Sequence, residues 1–208
     1  MSWKQGGRGY HHGNLREALM RAALDLIAEK GPSGFTVAEA ARTAGVSPAA
    51  PYRHFRDRDE LMVDVAQQGF ELFAKALETA WNSGKPDVRT AFERLGRAYL
   101  NFARSEPAYF VTMFESGVPH SSSPGLCEAS DRAYAVLREA SEALVAELPA
   151  KGRPPASMVS FHIWAMAHGI ASLFARSDEG RHKLPMEPEE LLEAGMLIYL
   201  EGLEPKAD

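Results

Sequence analysis

Residues 36–55 read TVAEAARTAGVSPAAPYRHF, a pattern that predicts two short helices joined by a tight turn. Thr36 and Glu39 stand at the spacing of a capping box, so the first helix is expected to begin after Thr36 and to run to about Ala44. Gly45 can take the positive φ that a sharp reversal requires. The stretch therefore predicts a helix-turn-helix.

The second helix of this unit is expected to begin at Ser47 and to end near Phe55. Ser47 is a good N-cap, and Pro48 suits the first helical position because its missing amide costs nothing there. Val46 and Phe55 can anchor this helix to a core. The outer face of residues 48–54 is then free to enter a DNA major groove, which is about 12 Å wide.

The rest of the chain also favours helices, because apolar residues recur at helical spacing and no segment alternates as a strand would. Asn14 with Glu17 predicts the start of the first helix, and Gly31 with Pro32 its end. The later helices are expected at residues 57–81, 87–105, 107–114, 126–148, 156–176 and 188–202. The expected fold class is all-α.

Charge is distributed unevenly along the chain, although the net charge is -5. Residues 1–60 contain nine Lys and Arg against seven Asp and Glu, whereas residues 61–208 contain 14 against 21. A mildly basic N-terminal segment followed by an acidic remainder is compatible with a DNA-binding domain followed by a domain that does not bind DNA. Lys4 and Arg8 form either a basic arm or a solvated tail.

Several observations favour a cytoplasmic protein. Cys127 is the single cysteine, so it forms no disulfide within the chain. The N-terminal residues lack the apolar core of a signal peptide. No apolar run is expected to reach the roughly 20 residues that span a bilayer, so no membrane partner is predicted.

The helix-turn-helix resembles that of the tetracycline-repressor (TetR) family, over about residues 10–62. The residues in the family's order and spacing are Thr36, Ala41, Gly45, Val46, Ser47, Tyr52, His54, Phe55 and Leu61. Further along the chain, Trp164 followed by His168 and Gly169 resembles the Trp-His-Gly signature of one subgroup's C-terminal domain.

This resemblance implies a DNA-binding domain at residues 1–60 and a helical ligand-binding and dimerisation domain at residues 61–208. It implies a homodimer that binds a palindromic double-stranded operator and is released by a small, largely apolar effector. It also implies that the last two helices form the dimer interface. Candidate interface residues are Ala165, Ile170, Leu173, Leu191, Met196, Leu197 and Leu200.

Three residues of the second helix are candidates for the main DNA contacts. The resemblance implies phosphate contacts from the Tyr52 hydroxyl and the His54 imidazole, although Tyr52 could instead pack against the first helix. Arg53 is the best candidate for base recognition, because a guanidinium can bind guanine O6 and N7 together. A phosphate contact or simple solvation of Arg53 remains open.

Smaller residues complete the predicted DNA surface. Ala49 and Ala50 either meet thymine methyl groups or only let the helix lie deep in the groove. Thr36 and Ser47 act as caps and could also touch the DNA backbone, and Arg58 is a candidate phosphate contact. The complete predicted set is Thr36, Ser47, Pro48, Ala49, Ala50, Tyr52, Arg53, His54 and Arg58.

Pro51 departs from the family pattern, in which an apolar residue other than proline is usual. Its missing amide removes one early helical hydrogen bond, and it biases Ala50 away from helical torsions. The first turn of the second helix is therefore expected to be distorted. This leaves open an alternative function, an all-helical small-molecule binding or interaction protein whose helix-turn-helix does not read DNA.

A ligand pocket is expected among aromatic and methionine residues of the C-terminal domain, because such pockets are mostly apolar. For His168 a hydrogen-bonded core histidine and a ligand contact are both open. The candidate pocket residues are Phe102, Phe110, Met113, Phe114, Tyr134, Trp164 and His168.

No metal site, cofactor or enzyme activity is predicted. His11 and His12 are adjacent, and no cysteine or carboxylate joins them at ligand spacing. His120 lies near Ser121, but neither a nucleophile elbow nor a glycine-rich phosphate loop accompanies them.

Overall fold

The structure is a computed structural model that describes residues 15–150, 153–175 and 186–202. Within these ranges the chain forms helices and no strand, which confirms the all-α prediction. The α-helices are α1 (Leu15–Lys30), α2 (Val37–Thr43), α3 (Arg58–Trp81), α4 (Val88–Ser105), α5 (Pro107–Glu115), α6 (Pro124–Glu147), α7 (Ala156–Ala175) and α8 (Pro188–Glu201). Short 3-10 helices cover Pro51–Arg53, Asn82–Gly84 and His120–Ser122.

Some predictions fall on parts of the chain outside the described residues. These are the cap at Asn14, the basic arm with Lys4 and Arg8, the adjacent His11 and His12, and the helix end at Arg176.

The turn after α2 follows from local hydrogen bonds. The Thr36 hydroxyl accepts the Glu39 amide at 3.2 Å, and the Glu39 carboxylate accepts the Thr36 amide at 2.9 Å, which confirms the capping box. Gly45 has a φ of +73°. The amide of Val46 donates to the Ala41 carbonyl at 2.9 Å, so α2 closes in a Schellman motif that reverses the chain.

The predicted α-helix from Ser47 to Phe55 is wrong. Residues 48 and 49 form a turn and residue 50 a bend, and only one 3-10 turn follows at Pro51–Arg53. Pro51 has no amide for the Ser47 carbonyl, which instead accepts the Ala50 amide at 2.9 Å. The expected bias on Ala50 is not observed, because its torsions stay helical (φ −63°, ψ −40°). Loss of the hydrogen-bond donor therefore accounts for the short turn.

Helix α3 connects two apolar cores. Its first turns, with Leu61 and Val65 fully buried, pack with α1 and α2 around Phe55. From Ala66 to Trp81 the same helix packs into the second core, which α4, α5, α6, α7 and α8 complete. Asp57 caps α3 by accepting the Glu60 amide at 2.9 Å.

Helix α7 has more apolar surface than the fold of a single chain buries. Its segment Ala156–Phe174 is long and apolar enough to cross a membrane by length and composition, so the expectation that no run reaches this length is wrong. One third of that segment is buried, and it packs against α4, α6 and α8 as a core helix does. Three predicted interface residues, Ile170, Met196 and Leu200, lie in the chain's own core.

Candidate DNA-binding surface and ligand cavity

The 3-10 turn presents three consecutive side chains to solvent. Pro51 and Phe55 are buried and fix the turn to the first core, while Tyr52, Arg53 and His54 between them are exposed. Tyr52 is 59% exposed, so packing against the first helix does not account for its ring. The three main candidates for DNA contact therefore lie together on one solvent-facing segment.

The other predicted DNA contacts lie around this segment. Thr36, Ser47, Pro48 and Ala49 are exposed, and Ala50 and Arg58 are half-buried. The Thr36 hydroxyl donates to the Glu39 carboxylate at 3.0 Å, so a phosphate would have to displace that contact.

Phe55 is held by an arginine that the sequence did not single out. The guanidinium of Arg16 lies 5.4 Å from the centre of the Phe55 ring, a cation–π contact. The same guanidinium donates twice to the Asp64 carboxylate, with Nη2 at 2.7 Å from Oδ1. This bidentate pair links α1 to α3 across the base of the turn. The role of Arg16, the second residue of α1, could be recognised only once the position of Phe55 was known.

Carboxylates neutralise several cations on this side of the molecule. Among the described residues, three further ion pairs lie here besides that of Arg16 and Asp64: Lys30 with Glu39 at 3.1 Å, Arg56 with Glu60 at 3.3 Å and Arg58 with Asp59 at 3.0 Å. The bond from Lys30, followed by those from Thr36, lowers the pKa of the Glu39 carboxyl. Arg58 must therefore leave Asp59 to reach a phosphate.

A cavity of about 220 Å³ lies in the second core, between α3, α4, α6 and α7 and the end of α5. Of the predicted pocket residues, Phe114, Tyr134 and Trp164 line it. Phe102, Phe110, Met113 and His168 do not belong to its lining. The aromatic lining residues that were not among the predicted pocket set are Phe70, Phe73, Phe92, Tyr99, His120 and Phe161.

His168 lies behind this lining in a short hydrogen-bonded chain. The Trp164 indole donates to the Tyr99 hydroxyl at 3.2 Å, and the Tyr99 oxygen lies 2.9 Å from His168 Nδ1. The His168 ring also stacks on Phe110, with centroids 5.4 Å apart. Burial lowers the pKa of His168, opposed by the charge of Glu115. A neutral imidazole then accepts the Tyr99 proton at Nδ1.

Two family models match the chain at the positions where the structure has its two cores. The model of "Bacterial regulatory proteins, tetR family" matches residues 19–65, and that of "Tetracyclin repressor-like, C-terminal domain" matches residues 92–198. The chain belongs to the TetR family. This confirms the predictions of a transcription regulator and of a protein that is not an enzyme.

Similar proteins and structures agree with TetR-family membership. The HTH-type transcriptional regulator BetI of Rhizobium meliloti (strain 1021) is 44% identical over 48 residues, which cover 23% of this chain and 24% of BetI. An uncharacterised HTH-type transcriptional regulator of Haemophilus influenzae is 41% identical over 64 residues, 30% of this chain and 31% of that protein. The chain thus matches less than a third of the length of these curated relatives.

Solved structures match over nearly the whole TetR-family chain. A protein of unknown function from Rhodococcus sp. RHA1 has a TM-score of 0.77 at 31% identity, covering 95% of this chain and 100% of that one. The TetR family regulator PfmR from Thermus thermophilus has a TM-score of 0.69 at 23% identity, covering 90% and 99%. The latter likeness shows the shared fold.

Substitution of Arg53 should separate base recognition from phosphate contact in this TetR-family turn. We expect Arg53→Ala to lose about 1–3 kcal/mol of discrimination at one base position of each half-site. Tyr52→Phe and His54→Ala should weaken binding to all sequences alike, because phosphates carry no sequence information. The measurement is a set of anisotropy titrations against operator variants. Equal losses on every variant after Arg53→Ala would assign Arg53 to a phosphate.

His168 should make stability depend on pH. A histidine whose pKa is lowered in the fold binds its proton more readily in the unfolded chain, so stability is full at neutral pH and declines below about pH 6.5. We expect the melting temperature of the wild type to fall more between about pH 7 and about pH 5 than that of His168→Gln. His162→Gln, on an exposed histidine of the same helix, controls for loss of an imidazole. Parallel curves for the wild type and His168→Gln would refute this assignment.

Proposed function

We propose that the protein is a homodimeric repressor that binds operator DNA through residues 36–58 and is released by a small, largely apolar effector in the cavity. One observation supports it most directly: Tyr52, Arg53 and His54 face solvent together, between two buried anchors and beside a capped α2. Such a surface has no packing role within the chain. Since its DNA lies in the cytoplasm, we place the protein there too.

The two proposed domains, residues 1–60 and 61–208, share helix α3. The first core ends on this helix at Val65 and the second begins at Ala66. Tyr109 of α5 packs against both cores, and its hydroxyl donates to Gln68 of α3 at 2.7 Å. A change in the cavity can therefore reach the DNA-binding turn through packed elements, as release by an effector requires.

The proposed dimer interface is the outer side of α7 and α8. Leu173 is 53% exposed on α7, and Leu197 and Ile198 are 50% and 71% exposed on α8. A β-carbon at Gly169 would meet nothing within 4 Å, although glycine inside a helix costs about 1 kcal/mol relative to alanine. Open space at a helical glycine suits the close approach of a second helix. Large apolar side chains exposed on two helices that pack together, as α7 and α8 do, favour an interface here.

The alternative function has one observation in its favour, the short 3-10 turn in place of a recognition helix. A turn of three residues presents less surface to a groove than two helical turns would. On this alternative the protein binds small molecules or partners but discriminates poorly between DNA sequences.

An anisotropy titration against DNA flanking the protein's own gene distinguishes the two functions. A specific reader should prefer this operator over scrambled DNA by about 10³-fold or more, and its log affinity should fall linearly with log salt. A preference below about tenfold for every fragment in a genome-wide selection would favour the alternative.

The dimer proposal predicts opposite outcomes for two similar substitutions. Leu173→Glu should place charges in the α7–α8 interface, so that sedimentation velocity shows a monomer and operator affinity falls at least tenfold. Leu72→Glu makes the same change at a 43% exposed leucine of α3 and should leave the dimer intact. Melting curves of both variants report whether the fold survives. A folded Leu173→Glu variant that stays dimeric would contradict this interface.

A further inference from the structure

We propose that the cavity ligand is a compact organic amine, bound as its ammonium ion at Asp131 with its apolar body among the aromatic side chains. The proposal concerns the ligand's chemistry, and it rests on the proposed function only where it makes this ligand the effector. The directions of the hydrogen bonds that the lining already makes indicate this chemistry.

Two hydroxyl groups of α6 line the cavity, those of Ser130 and Tyr134. Each already donates its proton within the chain and has none left for a ligand. Ser130 donates to the Cys127 carbonyl at 2.9 Å. The Ser160 hydroxyl donates to the Ser157 carbonyl at 2.9 Å, because a carbonyl can only accept. In the contact of 3.2 Å between the Ser160 and Tyr134 hydroxyls, the donor is therefore Tyr134. Ser130 and Tyr134 therefore offer lone pairs to the cavity.

The remaining uncharged polar groups of the lining are committed in the same way. The Trp164 N–H is donated to Tyr99, and the Tyr99 proton goes to His168 Nδ1. His120 Nε2 lies 3.4 Å from the Met113 carbonyl and must be the donor there, so its Nε2 proton is also used within the chain. Among the described residues that line the cavity, every uncharged polar group thus has its donor satisfied within the chain.

Asp131, which is itself exposed to solvent, supplies the one formal charge of the described lining, which contains no lysine or arginine. Within the described part of the chain its carboxylate accepts the Cys127 thiol at 3.6 Å and makes no salt bridge. A carboxylate beside acceptor oxygens repels an anionic head group and attracts a cation that can donate. An ammonium, with up to three donors and no acceptor, matches this set.

The walls also suit a cation attached to an apolar body. Tyr134, Phe161 and Trp164 lie against one another, with Tyr134 and Phe161 centroids 5.4 Å apart and Phe161 and Trp164 planes inclined by 16°. Aromatic faces attract cations within about 6 Å. The volume of about 220 Å³ is below the roughly 300–1,000 Å³ of drug-sized pockets, so the ligand is compact.

Three probes with one skeleton test the head group: phenylbutylamine, phenylbutanol and phenylbutyrate, titrated calorimetrically into the full chain near neutral pH. We expect the amine to bind at least about tenfold more tightly than the carboxylate, equivalent to about 1.4 kcal/mol, with the alcohol between them. Asp131→Asn should reduce this ratio at least about threefold, since the aromatic walls remain.

Glu128→Gln is the matched control, because it removes an exposed carboxylate from the same helix outside the cavity lining. It should leave the ratio unchanged. The proposal is overturned if the carboxylate binds best, if Asp131→Asn leaves the ratio unchanged, or if no probe binds at about 1 mM.

Operator release is measured separately, by adding each probe to the complex of protein and DNA. Binding of the amine in the cavity without release supports the ligand chemistry and contradicts its role as effector. Failure of the protein to bind any operator contradicts the proposed function alone, because calorimetry of the free protein needs no DNA.

Discussion

Burial of α3 by two apolar cores is the constraint on which the other elements depend. The helix has 24 residues and spans about 36 Å, so one rigid element runs from beside the 3-10 turn at Pro51–Arg53 to the cavity, which its residue Leu77 lines. Leu61 and Val65 are fully buried at one end, and Phe70 and Phe73 nearly so further along. Each large side chain buried in this way contributes about 1.5–3 kcal/mol. Neither core can therefore shift without moving the helix that the other core holds.

Short-range signals let the sequence predict most helix limits. Thr36 and Glu39, or Asp57 and Glu60, act over three residues, so their hydrogen bonds form almost regardless of the distant chain. The prediction of an α-helix from Ser47 to Phe55 failed because two local signals compete there. Pro48 favours a helix start, but the second proline, Pro51, removes the amide that the helix would need next.

The cavity could be predicted only in kind, as an aromatic space in the C-terminal domain. Membership of its lining depends on how several helices rotate against one another, and that rotation is set by contacts far apart in sequence. Phe110 and Phe114 illustrate this, because both belong to α5 and one helical turn separates a core residue from a lining residue. The direction of the Tyr134 proton likewise depends on Ser160, on another helix.

Among the described residues, the four ion pairs around the candidate DNA-binding surface have a consequence for the kinetics of binding. Arg16, Lys30, Arg56 and Arg58 each lie beside a carboxylate, so their fields largely cancel beyond the Debye length of about 8–10 Å. Long-range attraction that speeds encounters to about 10⁸–10⁹ M⁻¹s⁻¹ needs an unbalanced positive field. Residues 1–60 keep only a small excess of Lys and Arg over Asp and Glu, so encounters with DNA should lie nearer the range of about 10⁵–10⁷ M⁻¹s⁻¹ that orientation imposes. The dissociation rate of the complex, rather than its association rate, would then determine how fully the operator is occupied.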